Sequence, residues 1–344
     1  MLLDLPATGL RLRRLAFFGP NKPAASVTFG PGLNVLYGAS DTGKSFIVEA
    51  IDFMTGGKPP LREIPERVGY DRVLLGLESQ RGEAFTVVRS MDGGGFLLYE
   101  GDHEAPPGEE VQAKILGEQH SEKSEANLSM FLLGLCGLAG REALALLVTV
   151  QDIERRRTDL EKGQDDRSSS TVAQGDIPTS VAEGFSQSVE AILNAWHFPE
   201  GGRVYFDSKT RDLVIAGKQR IARGKGLRAI THAAFTLGLL DYCRTHATPH
   251  PGFVILDSPL LAYREPDGAE DDLTGTDLKE QFYTYLQSLT DDRQVIVVEN
   301  TDPPPAIKAL EQVKMFSKNP HSGRYGLFPF VAPVAGETGE GKLV

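Results

Sequence analysis

Residues 38–45 read Gly38-Ala39-Ser40-Asp41-Thr42-Gly43-Lys44-Ser45, which satisfies G-x-x-x-x-G-K-[ST]. The apolar run Leu33–Tyr37 precedes them, and Ser45–Met54 follows with apolar residues at Phe46, Ile47, Ala50, Ile51 and Met54. That is strand, loop, amphipathic helix. Glycines let such a loop curl so that several backbone N–H groups point inward, and the helix adds its positive end. Chance produces the pattern in a chain of ordinary usage on the order of a few per cent of the time, and the flanking strand and helix lower that further. The expected ligands are ATP and Mg²⁺. Their expected contacts are Gly38, Ala39, Ser40, Asp41, Thr42, Gly43, Lys44, Ser45 and Phe46, with Lys44 on the β- and γ-oxygens and the Ser45 hydroxyl on the metal.

Around this unit the first half is strand-rich. Leu10–Phe18, Ser26–Phe29, Arg72–Leu77, Ala84–Arg89 and Gly95–Tyr99 have β character, separated by Pro-Gly and Gly-rich punctuation. They predict an antiparallel sheet beside the phosphate-binding core. Leu128–Leu138 and Glu142–Val150 are apolar, helical or buried. From Ile153 to Gly184 the chain is charged and then rich in Ser, Gly, Asp and Gln, too poor in large apolar residues to bury much surface, so a linker or loop is expected. A helix over Phe185–Trp196, a hairpin of Arg203–Phe206 and Asp212–Ile215, a long helix over Leu227–Cys243, a strand at Phe253–Leu256, a helix at Asp277–Leu289 and a strand at Gln294–Glu299 follow. Strands alternating with helices predict a parallel sheet covered on both faces, so the fold class is α/β.

Phe253-Val-Ile-Leu-Asp257 is a buried strand ending in a carboxylate, broken by Ser258-Pro259, and such an Asp holds the metal across from a phosphate loop. With Gly224-Lys225-Gly226-Leu227-Arg228 opening the helix before that strand, and Leu147-Val-Thr-Val-Gln151 late in the first half, the chain resembles the ABC-type ATPase heads of the SMC, RecN and RecF group, double-strand-break-repair-like P-loop ATPases. The resemblance implies a two-lobed head: residues 1–151 carrying the phosphate loop, 152–184 a linker or truncated coiled-coil insertion, and 185–344 carrying the signature-like helix and the Asp strand. It implies that Gln151 serves catalysis and the metal, that Asp257 holds the metal, and that Gly224, Lys225, Gly226 and Arg228 close over the γ-phosphate of a second subunit. It further implies ATP hydrolysis, a homodimer formed head to head on ATP, and a role in DNA maintenance or phage defence, with DNA and a companion nuclease or effector as partners.

Three departures from that pattern matter. Ser258 stands where the family has the Glu that orients attacking water, and a serine cannot accept that proton at neutral pH. Glu299, ending the next strand, is the first substitute and Glu265 the second, each weighed against a plain surface carboxylate. The coiled-coil arms are absent or truncated, since the stretch between Gln151 and Trp196 admits a short helical pair at most. Lys225 and Arg228 make the signature-like segment more positive than usual, which suits either a transition-state cation or a solvated helix start.

Composition excludes some classes. The 344 residues are 40% apolar with a formal charge of −11, so the surface as a whole does not attract polyanions. Arg11, Arg13 and Arg14, and Arg155–Arg157, are the dense basic clusters, read as a solvated strand edge and helix face. No apolar run reaches the roughly 18 residues of a membrane span. Cys136 and Cys243 sit among apolar neighbours as reduced thiols, and a cytoplasmic setting is expected. Pro249 and Pro251 spoil the helix that a His246/His250 metal pair needs, and the acidic run Glu265–Asp277 reads as a solvated loop rather than a nuclease site. The rival classes are a nucleotide-dependent binding module with negligible turnover and a small-molecule kinase. A GTPase is disfavoured by the position of Asn21-Lys22 ahead of the phosphate loop.

Overall fold

The computed structural model describes residues 9–57, 60–121, 124–138, 177–263, 272–290 and 292–330. Gln151, Glu265, the Arg155–Arg157 cluster, the run Glu142–Val150 and residues 152–176 of the expected linker lie outside the described residues.

The first half forms β1 (Leu10–Phe18), β2 (Ala25–Thr28), β3 (Gly32–Gly38) and helix α1 (Lys44–Met54). It continues with β4 (Arg72–Ser79), β5 (Ala84–Ser90), β6 (Gly93–Glu100), β7 (Lys114–Leu116) and helix α2 (Leu128–Leu135). From residue 177 onward come α3 (Thr179–Ala195), β8 (Val204–Asp207), β9 (Asp212–Ile215), β10 (Lys218–Gln219), α4 (Lys225–Thr245) and β11 (Phe253–Asp257). The last elements are α5 (Leu278–Ser288), β12 (Gln294–Glu299), α6 (Pro305–Lys308) and β13 (Val313–Phe316). Thr179–Gly184, expected as linker, is the first part of α3; its side of the helix at Phe185, Val189, Ile192 and Leu193 is buried, and that packing carries the helix past its polar start.

Two sheets matter for the site. The antiparallel sheet runs β2-β1-β4-β5-β6-β7, and the parallel sheet runs β11-β12-β3-β13. Strand β3 from the first half therefore lies inside a sheet otherwise made by the second half. Its residues alternate between two cores, as a strand buried on both sides must. Leu33, Val35 and Tyr37 join Val295, Val297, Val254 and Leu256 on the face covered by α3, α4 and α5. Leu36 joins Ile296 and Val298, with Phe253 and Ile255 packed alongside, on the face covered by α1 and the antiparallel sheet.

Two buried polar side chains join the layers. Strand β2 stops opposite Arg14, which leaves the Leu12 backbone without a strand neighbour on that side. Gln294 supplies one: its Oε1 accepts from Leu12 N at 2.8 Å, and its Nε2 donates to Leu12 O at 2.8 Å and Gly30 O at 2.9 Å. Arg89 lies between the rings of Phe53 and Phe96, at 4.0 and 4.3 Å from their centroids. It donates to Phe53 O at the end of α1 at 2.7 Å and pairs with Glu118 at 2.9 Å. The basic cluster of β1 is neutralised on the antiparallel sheet: Arg13 pairs with Glu78 and Asp102, and Arg14 with Asp102 and Glu104. The sequence suggests a solvated strand edge here, but β1 lies between β2 and β4, so the cluster is an ion-paired row within the sheet.

Candidate functional site

The carboxyl ends of the parallel strands meet at one edge. Register pairs Phe316 with Gly38, Tyr37 with Glu299, and Val298 with Asp257, so β13, β3, β12 and β11 all finish there. In an open parallel sheet this is where ligands bind.

At the end of β3 the backbone turns sharply. Gly38 has φ 124°, and a Cβ on it would lie 2.3 Å from Phe316 O, so glycine is required on two counts. Ala39 N donates to that same Phe316 carbonyl at 2.9 Å. Asp41 and Gly43 take left-handed φ of 56° and 85°. Helix α1 then starts with Gly43 as N-cap, without a side-chain cap and without an acid in its first turn. Its first N–H groups and its positive dipole end are thus left to an anion. Lys44 curls back into the loop, only 4% exposed, and its Nζ donates to Gly38 O at 3.1 Å, Ala39 O at 2.5 Å and Thr42 Oγ1 at 3.3 Å. Ser40 and Ser45 are exposed, and Phe46 is buried beneath them.

Asp257 lies two strands from β3, about 10 Å across the sheet. By strand alternation its side chain shares the α1 face with Phe253 and Ile255; it is exposed and accepts from Ser258 Oγ at 3.0 Å. Glu299 alternates to the opposite face with Val295 and Val297. It is 2% exposed and its oxygens accept from Leu260 N at 2.7 Å, Asn300 N at 3.1 Å and Thr301 Oγ1 at 3.4 Å. Burial pushes its pKa up, backbone N–H donors hold it down, and the Asp257 charge adds a smaller upward push. A side-chain period of two puts the two carboxylates on opposite faces, and the Asp257–Val298 register sets Glu299 level with Ser258, the position the resemblance reserves for the base.

Sequence reasoning missed Tyr283 of α5. Its hydroxyl is buried without a hydrogen-bond partner among the described residues, and its pKa is driven up by burial and by the charge of Glu299. Tyr283 falls in the same apolar stripe as Leu278, Phe282 and Leu286, and nothing in that pattern separates it from core.

The signature-like segment opens α4. Gly224 is the N-cap, and Lys225 and Arg228 are exposed. Gly226 is pressed against the 3-10 turn Leu261–Tyr263 that follows β11: a Cβ on it would lie 2.5 Å from Ala262. Gln151 and Glu265 lie outside the described residues. His250 is half-buried, its Nδ1 accepts from Gly252 N at 3.0 Å, and desolvation pushes its pKa down to about 4.

No family model and no curated protein matches the sequence. Solved structures resemble it at low identity. The SMC head domain from Thermotoga maritima is 13% identical, with 89% of this chain and 94% of that chain covered and a TM-score of 0.40. An SmcHead bound to the C-winged helix domain of ScpA is 14% identical, with 85% and 90% covered and a TM-score of 0.45. The recombination mediator protein RecF with ATP is 11% identical, with 88% and 95% covered and a TM-score of 0.40.

Proposed function

We propose that the chain is an ATP-binding, SMC-like ATPase whose nucleotide sits on the Gly38–Ser45 loop, and that it acts in the cytoplasm. One observation carries this reading: an uncapped helix start, a buried lysine inside its loop and an exposed carboxylate share one edge and one face of the parallel sheet. The loop amides and α1 hold the β- and γ-phosphates, and Lys44 leaves its backbone carbonyls to neutralise them. Ser45 and Asp257 are the protein oxygens for Mg²⁺, which is characteristically held by one or two carboxylates together with substrate phosphates and water. The ion would supply charge neutralisation on the transferring phosphoryl group.

In this reading Asp257 is the carboxylate of the nucleotide face. Glu299 clamps the turn after it, since its oxygens hold Leu260 N and the Asn300 backbone. A second reading, a nucleotide-dependent binding module with slow turnover, is favoured by the same burial: a carboxylate sealed by three donors is poorly placed to take a proton from water. Exposure of Lys225 and Arg228 at the start of α4 supports docking on the triphosphate of a second copy. The link to DNA maintenance or phage defence, with DNA and an effector nuclease as partners, rests on analogy.

The test is equilibrium binding of Mg-ATP, with release of free phosphate in the absence of any acceptor. Lys44→Ala is expected to weaken binding by on the order of tenfold to a hundredfold, the cost of removing a charge-assisted contact. Asp257→Asn is expected to weaken Mg-ATP much more than metal-free ATP. Equal affinity for wild type and Lys44→Ala would sink the reading.

A further inference from the structure

The chain does not stop at β13. It loops round and comes up beside the end of β13 in the same direction, with Phe316 bridged in parallel to Arg324: Ser317 N donates to Arg324 O at 2.8 Å and Lys318 N to Tyr325 O at 2.9 Å. The returning stretch 324–328 is in van der Waals contact with the loop. A Cβ on Gly326 would lie 2.8 Å from Thr42 O, and one on Gly43 would lie 2.9 Å from Leu327 Cβ. Leu327 N donates to Thr42 O at 2.8 Å. Phe328 closes an aromatic cluster with Phe17, Phe46 and Tyr70, at centroid distances of 5.2, 5.8 and 4.9 Å.

Arg324 holds this stretch in shape. Its Nε donates to Gly326 O at 2.8 Å, and its Nη2 donates to Leu327 O at 3.1 Å and to Ser26 O of β2 at 2.7 Å. The guanidinium lies 4.9 Å from the Phe316 ring centroid. The other link across the gap, Lys318 to Asp41 at 3.4 Å, joins side chains 48% and 85% exposed, and such pairs contribute little.

We propose that residues 324–328 are a strap that aims the phosphate-loop amides, with Arg324 as its positioning residue. The reason is stereochemical. In a trans peptide the carbonyl of one residue and the N–H of the next point in opposite directions. Leu327 N captures the Thr42 carbonyl on the strap side of the loop, so the Gly43 N–H is turned away from the strap. Without the strap the Thr42–Gly43 peptide is free to flip, because Gly43 accepts either sign of φ. The strap touches loop backbone and Phe46, so it acts through the loop on whatever phosphate chain the loop holds. This extends the nucleotide reading to residues that do not touch nucleotide.

Amide hydrogen exchange on the nucleotide-free protein tests the strap directly, and binding of Mg-ATP and Mg-tripolyphosphate tests its consequence. In Arg324→Ala, amides of residues 39–46 are expected to exchange about tenfold faster or more, with those of β11 and β12 unchanged. Both ligands are expected to lose affinity by the same factor, about tenfold, while Arg324→Lys recovers only part of it. Gly326→Ala gives the same pattern by pushing the strap off Thr42 O with Arg324 intact, and serves if Arg324→Ala does not fold. Unchanged loop exchange in a folded variant overturns the proposal, as does a loss confined to ATP and absent for tripolyphosphate. Failure of the wild type to bind Mg-ATP would instead count against the nucleotide reading, and the exchange rates would still decide on the strap.

Discussion

At the scale of single residues, Asp41 is the unusual member of the loop. It adopts φ 56° in the middle of a phosphate cradle, and its side chain is 85% exposed. A left-handed Asp costs about 1 kcal/mol relative to Gly, and its charge opposes the triphosphate by a similar amount at water-like dielectric. Asp41→Gly is therefore expected to tighten Mg-ATP binding about fivefold at low salt, with the gain shrinking as salt is raised. Calorimetric titration at two ionic strengths checks this; weaker binding at low salt would contradict it. Glu299 shows a different residue-level lesson. It ends β12 level with Ser258 and on the face opposite Asp257, and what sets it apart from a free base is that Leu260 N and Asn300 N already occupy its oxygens.

At the scale of elements, the site depends on how β3 is held between its neighbours. The parallel sheet and the antiparallel sheet are joined along β1 and β12 by the Gln294 amide, which is 1% exposed and replaces a missing strand partner of Leu12. Gln294→Ala removes both partners and leaves the buried Leu12 N–H and C=O unsatisfied. The expected loss is about 3 kcal/mol, read as a lower denaturant midpoint at unchanged slope. Gln294→Glu keeps the acceptor for Leu12 N but cannot donate to Leu12 O, so it is expected to be no better than Ala. An unchanged midpoint for both variants would show that the two sheets hold together without this link.

For the whole molecule, the proposed docking needs two copies, with Lys225 and Arg228 of one reaching the triphosphate of the other. Arg228→Glu is expected to abolish ATP-dependent association in sedimentation while the isolated chain still binds Mg-ATP with wild-type affinity, because Arg228 is exposed at the start of α4 and is assigned no contact with nucleotide in its own chain. Association that survives Arg228→Glu unchanged would remove this segment from the interface. Much of the molecule was legible beforehand. Gly38, Gly43, Lys44 and Ser45 declare their loop through spacing, and the apolar LNVLY and FVILD runs declare strands, although β11, outermost in the parallel sheet, is only half-buried where the sequence reads it as buried. β13 was not legible: in Val313–Phe316 only Phe316 is buried, so no alternation marks it. Nor was the strap, since Arg324, Gly326 and Leu327 act through backbone atoms nearly three hundred residues away in the chain, as Arg324 does on Ser26. The sequence by itself determined which residues could cradle a phosphate and which apolar runs would form strands, since those are matters of local geometry and polarity. Only the tertiary structure decided that Asp257 shares the face of α1 while Glu299 does not, and that the end of the described chain braces the loop at its beginning, because both depend on strand order and on contacts that no short-range pattern encodes.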